Sequence, residues 1–177
     1  HRFERSPDGA WILFNYRLPG IAAGEVGPVR TTGGEPAINL TQSGFIDASP
    51  TWILDGKAML WLSNRDGMRS MAMSGGRQMD AYAMFFSREA WDRFRLSKEE
   101  YALLQESEKS NGEKAEKAQP VVLELDGARD RRARLTIHSS VMGGALLSKD
   151  GETLYYLARF EGGMNLWSTE LRTKETK

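Results

Sequence analysis

Two histidines, His1 and His138, are the only imidazoles in the chain, so a general base working near neutral pH has to be sought there first. His138 precedes Ser139 and Ser140, which invites a serine–histidine reading. Neighbouring residues of an extended segment point to opposite sides, however, and a triad needs nucleophile and base within hydrogen-bond reach and a third group to orient the base. We therefore read His138 as a loop residue between repeats and expect no catalysis from it; His1 is terminal. Asp126-Gly127 and Asp130-Arg131-Arg132 set carboxylates beside guanidinium groups. Their expected role is structural. Asp126-Gly127 should turn the chain, Asp130 should pair with Arg131 or across to a neighbouring repeat, and Arg132 and Arg134 should lie on the solvent side of a strand. Asn64-Arg65-Asp66-Gly67 reads as a hairpin tip, and its Arg65 is the candidate to contact a peptide.

With no cysteine, disulfides, thiolate catalysis and cysteine-based zinc sites are excluded. Neither a histidine pair at helical spacing nor an EF-hand ligand series is present. Gly75-Gly76 and Gly162-Gly163 lack the Lys-Ser/Thr and the strand-to-helix setting of a phosphate loop. Met68, Met71, Met73, Met79 and Met84 read as core or adaptable loop surface. We expect no catalytic, cofactor-binding or metal-binding residue in the chain. Lys plus Arg equals Asp plus Glu at 24 each, which gives no reason to expect nucleic acid as partner. No apolar run approaches the ~20 residues that span a bilayer. His1-Arg2-Phe3-Glu4-Arg5 carries no apolar signal-peptide core, and the chain opens inside a patterned segment, which leaves room for a leader on a longer parent.

The elements that must position these residues repeat. Ser6-Pro7-Asp8-Gly9 precedes WILFNY, Ile53-Leu54-Asp55-Gly56 precedes KAMLWLS, and Ser148-Lys149-Asp150-Gly151 precedes ETLYYLA. Each is a tight turn and then a strand: the aspartate bonds its own backbone and the glycine tolerates positive φ. The runs Trp11 to Phe14, Ala58 to Leu62 and Leu154 to Ala158 are nearly continuously apolar, as in strands buried on both faces. Gly9 to Gly56 is 47 positions and Gly56 to Gly151 is 95, about one and two lengths of a ~40–50-residue repeat. An insertion accounts for the longer gap. Ser87-Arg88-Glu89-Ala90-Trp91 begins a short helix with Trp91 and Phe94 on one side, and Ser97-Lys98-Glu99-Glu100 is a capping box ahead of Tyr101 and Leu104. From Gln105 to Ala118 there is too little apolar surface to offset the entropy of ordering, so a frayed helix end and a mobile loop are expected.

The resulting map is all-β: a partial β-propeller of about three blades, with a β-sandwich as the alternative. Residues 1–45 form a partial blade, 46–137 a blade with a helical insertion at about 87–118, and 138–177 a partial blade. The expected strands are Trp11 to Tyr16, Gly27 to Thr31 and Ala37 to Thr41; Ala48 to Ile53, Ala58 to Ser63, Asp80 to Phe86 and Val121 to Leu125; Gly144 to Leu147, Thr153 to Ala158 and Asn165 to Leu171. The first blade then lacks an inner strand and the third an outer one. Copies are expected to associate through the open faces and edges, as a homo-oligomer or by blade packing between copies.

Two stretches are more specific: DASPTWILDGKAMLWLSNRDG with DAYAMFFSREAWDRFRLSKEEYALL, and LELDGARDRRARLT with LSKDGETLYYLARFEGGMNLWSTELRTKET. They resemble the propeller of bacterial tricorn-like serine peptidases, the first the blade with its helical insertion and the second the blade edge that follows. The turn motif alone is shared with TolB-like propellers. One departure is Ile53-Leu54-Asp55-Gly56 where the pattern has Ser-Pro-Asp-Gly, which should alter turn rigidity and keep the Asp-Gly pair. The resemblance implies a non-catalytic propeller serving a serine peptidase site in a domain outside this chain, beyond a PDZ-like module, with peptide or unfolded protein as substrate. It also implies a periplasmic or cell-envelope location, with the cytoplasm as the alternative. The other reading is a TolB-like binding or scaffold propeller without peptidase activity. Structural roles at turns and blade edge fall to Asp8, Gly9, Asp55, Gly56, Asp126, Gly127, Asp130, Arg131, Asp150 and Gly151.

Overall fold

The computed structural model describes residues 3–21, 23–70, 77–110 and 120–177. His1, Met71, Met73, Gly75-Gly76 and the expected mobile loop over 111–118 lie outside the described residues. Three antiparallel sheets follow one another along the chain. The first holds β1 (Phe3–Arg5), β2 (Trp11–Arg17) and β3 (Gly24–Arg30). The second holds β4 (Asp47–Ile53), β5 (Ala58–Ser63), β6 (Asp80–Phe85) and β7 (Arg132–Arg134). The third holds β8 (Val141–Leu147), β9 (Thr153–Arg159) and β10 (Asn165–Glu170). Two helices, α1 (Arg88–Arg95) and α2 (Lys98–Ser110), follow β6.

Each outer sheet is wider than the sequence map allowed. A strand does precede Trp11: β1 pairs with β2, Phe3 opposite Phe14. Within the expected strand Ala37 to Thr41, Ile38 and Leu40 donate their backbone N–H groups to Pro28 and Val26 and so form a fourth line beside β3. After Leu171 the chain turns back, and Lys177 and Ser168 exchange both backbone hydrogen bonds. The segments before Trp11 and after Leu171 are short, and so escaped a reading that looked for apolar runs.

The middle sheet corrects the map in another way. Its outer strand is Arg132–Arg134, not Val121 to Leu125. Arg131 is buried, and its guanidinium donates to the carbonyls of Phe85, Phe86, Glu124 and Asp126. It does not form the expected ion pair with Asp130. Residues 121–126 reach the sheet only at its end, where Glu124 N–H bonds Phe86 O, and Phe85 N–H bonds Arg131 O. Asp126 and Gly127 do form a turn, with Gly127 at φ +65°.

Two of the three expected turns, those of the outer sheets, are built alike. Ser6 Oγ donates to Asp8 Oδ1 (2.6 Å) and accepts from Trp11 N (2.9 Å), while Asp8 Oδ1 accepts from Ala10 N (3.0 Å). Ser148, Asp150, Glu152 and Thr153 repeat the pattern. Between them, Leu54-Asp55-Gly56 lacks the serine and closes as a single 3-10 turn with Leu54, Asp55 and Gly56 all at positive φ. An added Cβ on Gly56 would lie 2.4 Å from Val121 Cγ2, so the turn also needs glycine for space.

Both helices begin with side-chain caps. Ser87 Oγ accepts from Ala90 N, and Ser97 with Glu100 forms the reciprocal capping box at 3.2 and 2.8 Å. Trp91 and Phe94 stack at 5.9 Å and both lie against Phe85, which ties α1 to the face of the middle sheet. Arg172 fixes the far end of α1: it donates to the carbonyls of Arg93, Phe94 and Leu96 and pairs with Glu152. Its guanidinium also lies 3.7 Å over the ring of Tyr101. A cation there satisfies carbonyls that a helix end leaves without partners.

The core is two layers, one on each side of the middle sheet. Ala58, Leu60 and Leu62 pack with Leu154, Tyr156 and Ala158 of β9, and Met59 and Trp61 pack with Trp11 and Leu13 of β2. Double-sided burial was expected of all three sequence runs, but β9 alternates buried with exposed, because only one of its faces has a neighbour.

The turn carboxylate gives a pH test. The Ser148 hydroxyl, and after it the Glu152 backbone N–H, hold the Asp150 carboxyl below its ordinary value of 3.8. A lowered folded-state pKa stabilises the fold above the unfolded value and loses that contribution as pH falls through the folded one. Asp150→Asn should therefore be less stable than the parent near neutrality. The gap should close below about pH 3 in denaturation curves taken across pH; a gap that stays constant with pH would refute the assignment.

Candidate functional site

Because strands alternate in direction, the loops fall at two ends. One end carries the Asp-Gly turns and the helices. The other carries residues 41–46, 64–70 and 135–140, and most of the polar side chains buried at strand ends lie there.

Three linked groups build this second end. Glu25, buried at the start of β3, accepts from Thr41 Oγ1 (2.6 Å) and from the backbone N–H groups of Ser43 and Gly44. Ser43 Oγ donates to Asp47 Oδ2 (2.5 Å), and Trp61 Nε1 donates to Asp47 Oδ1 (3.1 Å). Asn64 Oδ1 accepts from Ile46 N (2.8 Å), which pins the loop after β5 to the loop before β4. Farther out, Asp80 is fully buried. It accepts from Arg134, Thr136 Oγ1 (2.7 Å) and Ser139 Oγ (2.7 Å). Arg134 lies on the solvent side, as expected, and from there pairs with this buried carboxylate.

On this floor stands the hairpin tip. Arg65 is half-buried, with its guanidinium 5.1 Å from the ring centroid of Phe45, and that of Arg69 is 4.7 Å from the same ring. Arg65 Nε is buried without a hydrogen-bond partner among the described residues. Arg132 is also half-buried. Burial first, and then the positive charge of Arg65, lower its pKa, so the two guanidinium groups feel each other. The nearby carboxylates are engaged elsewhere: Asp66 accepts from the Tyr82 hydroxyl and Asp47 from Ser43 and Trp61. Burial, followed by the Asp66 hydrogen bond, raises the Tyr82 pKa well above its ordinary value. Among the described residues no carboxylate lies within ion-pair distance of Arg65 or Arg132.

Of the residues singled out by sequence, Arg65 lies at this end. Asp8, Gly9, Asp55, Gly56, Asp150 and Gly151, and with them Asp126, Gly127, Asp130 and Arg131, lie at the other. His138 is exposed, and the hydroxyl beside it, Ser139 Oγ, donates to Asp80 and not to an imidazole. Ser140 Oγ is buried without a partner among the described residues. Phe45, Arg69 and Arg132 were missed as site residues. Arg132 is 67 positions from Arg65, and only sheet pairing brings the two near each other.

No protein-family model matches the chain, and no curated protein matches it. Solved structures do. A tricorn protease superposes with TM-score 0.59 at 10% identity, over 99% of this chain and 18% of that one. TolB from Acinetobacter baumannii superposes with TM-score 0.54 at 19% identity, over 98% of this chain and 30% of its own. A putative TolB from Agrobacterium tumefaciens gives 0.54 at 17%, over 99% and 44%. The chain thus spans less than half the length of each. At these identities the likeness establishes the fold, a three-bladed segment of a β-propeller, and each sheet is one blade.

The Asp80 cluster yields a stability prediction. Among the described residues Arg134 is the cation paired with Asp80, a carboxylate that has no solvent exposure, and Arg134→Met should cost about 3 kcal/mol. Asp80→Asn with Arg134→Met should cost less, since no charge is left unpaired. Urea unfolding midpoints of the three proteins decide it, and a single variant no less stable than the double would contradict the buried-charge account.

Proposed function

We propose that this chain is the non-catalytic propeller part of a tricorn-like serine peptidase, holding peptide for a serine site in a domain outside the chain. The observation that carries the reading is the pair of half-buried guanidinium groups, Arg65 and Arg132, left without a carboxylate beside the aromatic face of Phe45. A carboxylate entering between them would supply the missing acceptor and relieve the repulsion, and a peptide offers such a group together with apolar side chains for the ring. A PDZ-like module and the catalytic domain are the partners this reading requires, in the periplasm or cell envelope.

Likeness to two TolB propellers supports a second reading, a binding or scaffold propeller with no peptidase attached. The parent reading frame separates them: it continues into PDZ-like and peptidase segments only under the first.

Fluorescence anisotropy with labelled acidic peptides tests the site. Arg65→Ala and Arg132→Ala should each weaken binding about 10- to 100-fold, the range of one or two charge-assisted hydrogen bonds. Unfolded casein incubated with the chain should not be cleaved. Binding unchanged in both variants, or turnover above background, would overturn the proposal.

A further inference from the structure

Two pairs of arginines meet at the loop end, and among the described residues neither pair has an anion within ion-pair distance. Arg65 and Arg132 are the first. The second is Arg69 and Arg77, both exposed, which oppose each other in an isolated antiparallel bridge on the hairpin between β5 and β6. Like charges directly opposite each other in a strand pair repel, so this pairing costs stability until a counter-charge arrives. One ring joins the two pairs: the guanidinium groups of Arg65 and Arg69 lie 5.1 and 4.7 Å from the centroid of Phe45.

The sequence withholds counter-charge from this corner. From Gly67 to Met79 the hairpin carries Arg69 and Arg77 and no aspartate or glutamate, and residues 41–46 and 135–140 carry none either. The one acidic residue of these loops, Asp66, accepts from the Tyr82 hydroxyl. Backbone pairing keeps the second pair in register, because Gln78 N–H donates to Met68 O (2.9 Å) and Met68 N–H to Gln78 Oε1 (3.3 Å). All four arginines belong to the middle blade, which has a neighbour on each face.

We propose that the peptide held at this end carries two acidic side chains on one side of an extended segment, one seated between Arg65 and Arg132 and the other between Arg69 and Arg77. The inference rests on the reading of Arg65 and Arg132 as a peptide-carboxylate site and extends that site along the hairpin. A single carboxylate relieves one arginine pair and leaves the other; two relieve both. Two cations on one ring stand at most about 10 Å apart, and alternate residues of an extended chain point the same way ~7 Å apart, so they span it. Adjacent acidic residues point to opposite sides and reach one pair only. A phosphoryl group gathers its charge at one point and likewise serves one pair.

Fluorescence anisotropy of the full chain, with labelled peptides of equal net charge, reads the spacing. Glutamate–serine–glutamate should bind about 5-fold more tightly than glutamate–glutamate–serine set in the same neutral peptide, the upper range for one exposed ion pair. Arg77→Ala should bring that ratio to about 1. Arg77→Gln, with both variants checked by far-ultraviolet circular dichroism, should do the same. Equal binding of the two peptides, a ratio unchanged in both variants, or a phosphoserine peptide binding more tightly than the spaced one would overturn the proposal. A peptide with one glutamate separates this from the reading beneath it. If that peptide binds and weakens in Arg65→Ala while the spaced peptide gains nothing over it, only the second anion fails; if no acidic peptide binds, both readings fall.

Discussion

All six residues of β5 are buried, and no two-layer arrangement could achieve that, because successive side chains of a strand point to opposite faces. Ala58, Leu60 and Leu62 need cover on one side while Met59 and Trp61 need it on the other. The first and third blades supply those covers, and in doing so fix their own order along the chain. The rest of the molecule follows from this. The outer blades are tied less to each other than to the middle one, the helices sit beyond its β6, and the polar clusters cap its ends. A middle strand with polar residues on either face would remove the reason for one neighbour to be there.

The two ends of the blades are held by different physics. At the turn end, guanidinium groups satisfy backbone carbonyls: Arg131 gathers four at the exit of the insertion, and Arg172 gathers three at the end of α1 and pairs with Glu152. These are cations used as caps, and their acceptors leave them little else to do. At the loop end the acceptors are carboxylates, Glu25, Asp47 and Asp80, each satisfied by hydroxyls, backbone or an arginine. Arg65 and Arg132 stand apart because the acceptors around them are already used. The proposed peptide site rests on this contrast: carboxylates that are hydrogen-bonded beneath a buried Arg65 Nε that has no partner among the described residues.

The repeat itself was legible in the sequence for a local reason. The Asp-Gly turns, the capping box at Ser97 and Glu100, and the Trp91 and Phe94 pair each rest on contacts within five residues, so type and spacing specify them. The short strand β1 and the returning segment at Lys177 were not legible, nor was it legible that β7 and not Val121 to Leu125 closes the middle sheet. These segments are three or so residues long, and they pair because a longer strand offers them an open edge. Arg131 was read as an ion-pair partner because Asp130 adjoins it in sequence. The fold instead sets it under four carbonyls, whose number and direction no local pattern reveals.

The sequence by itself determined an all-β chain of repeated blades with one helical insertion, because turn chemistry and apolar runs are written residue by residue. Only the tertiary structure decided which face of each run is covered. WILFNY, KAMLWLS and ETLYYLA are near-equivalent runs, yet the first is partly open, the second closed on both faces and the third open on one. Burial belongs to a strand and its neighbours together, and neighbours are set by the order of blades in space. For the same reason Arg65 could be picked out alone, while Arg132 joined it only through pairing across the sheet.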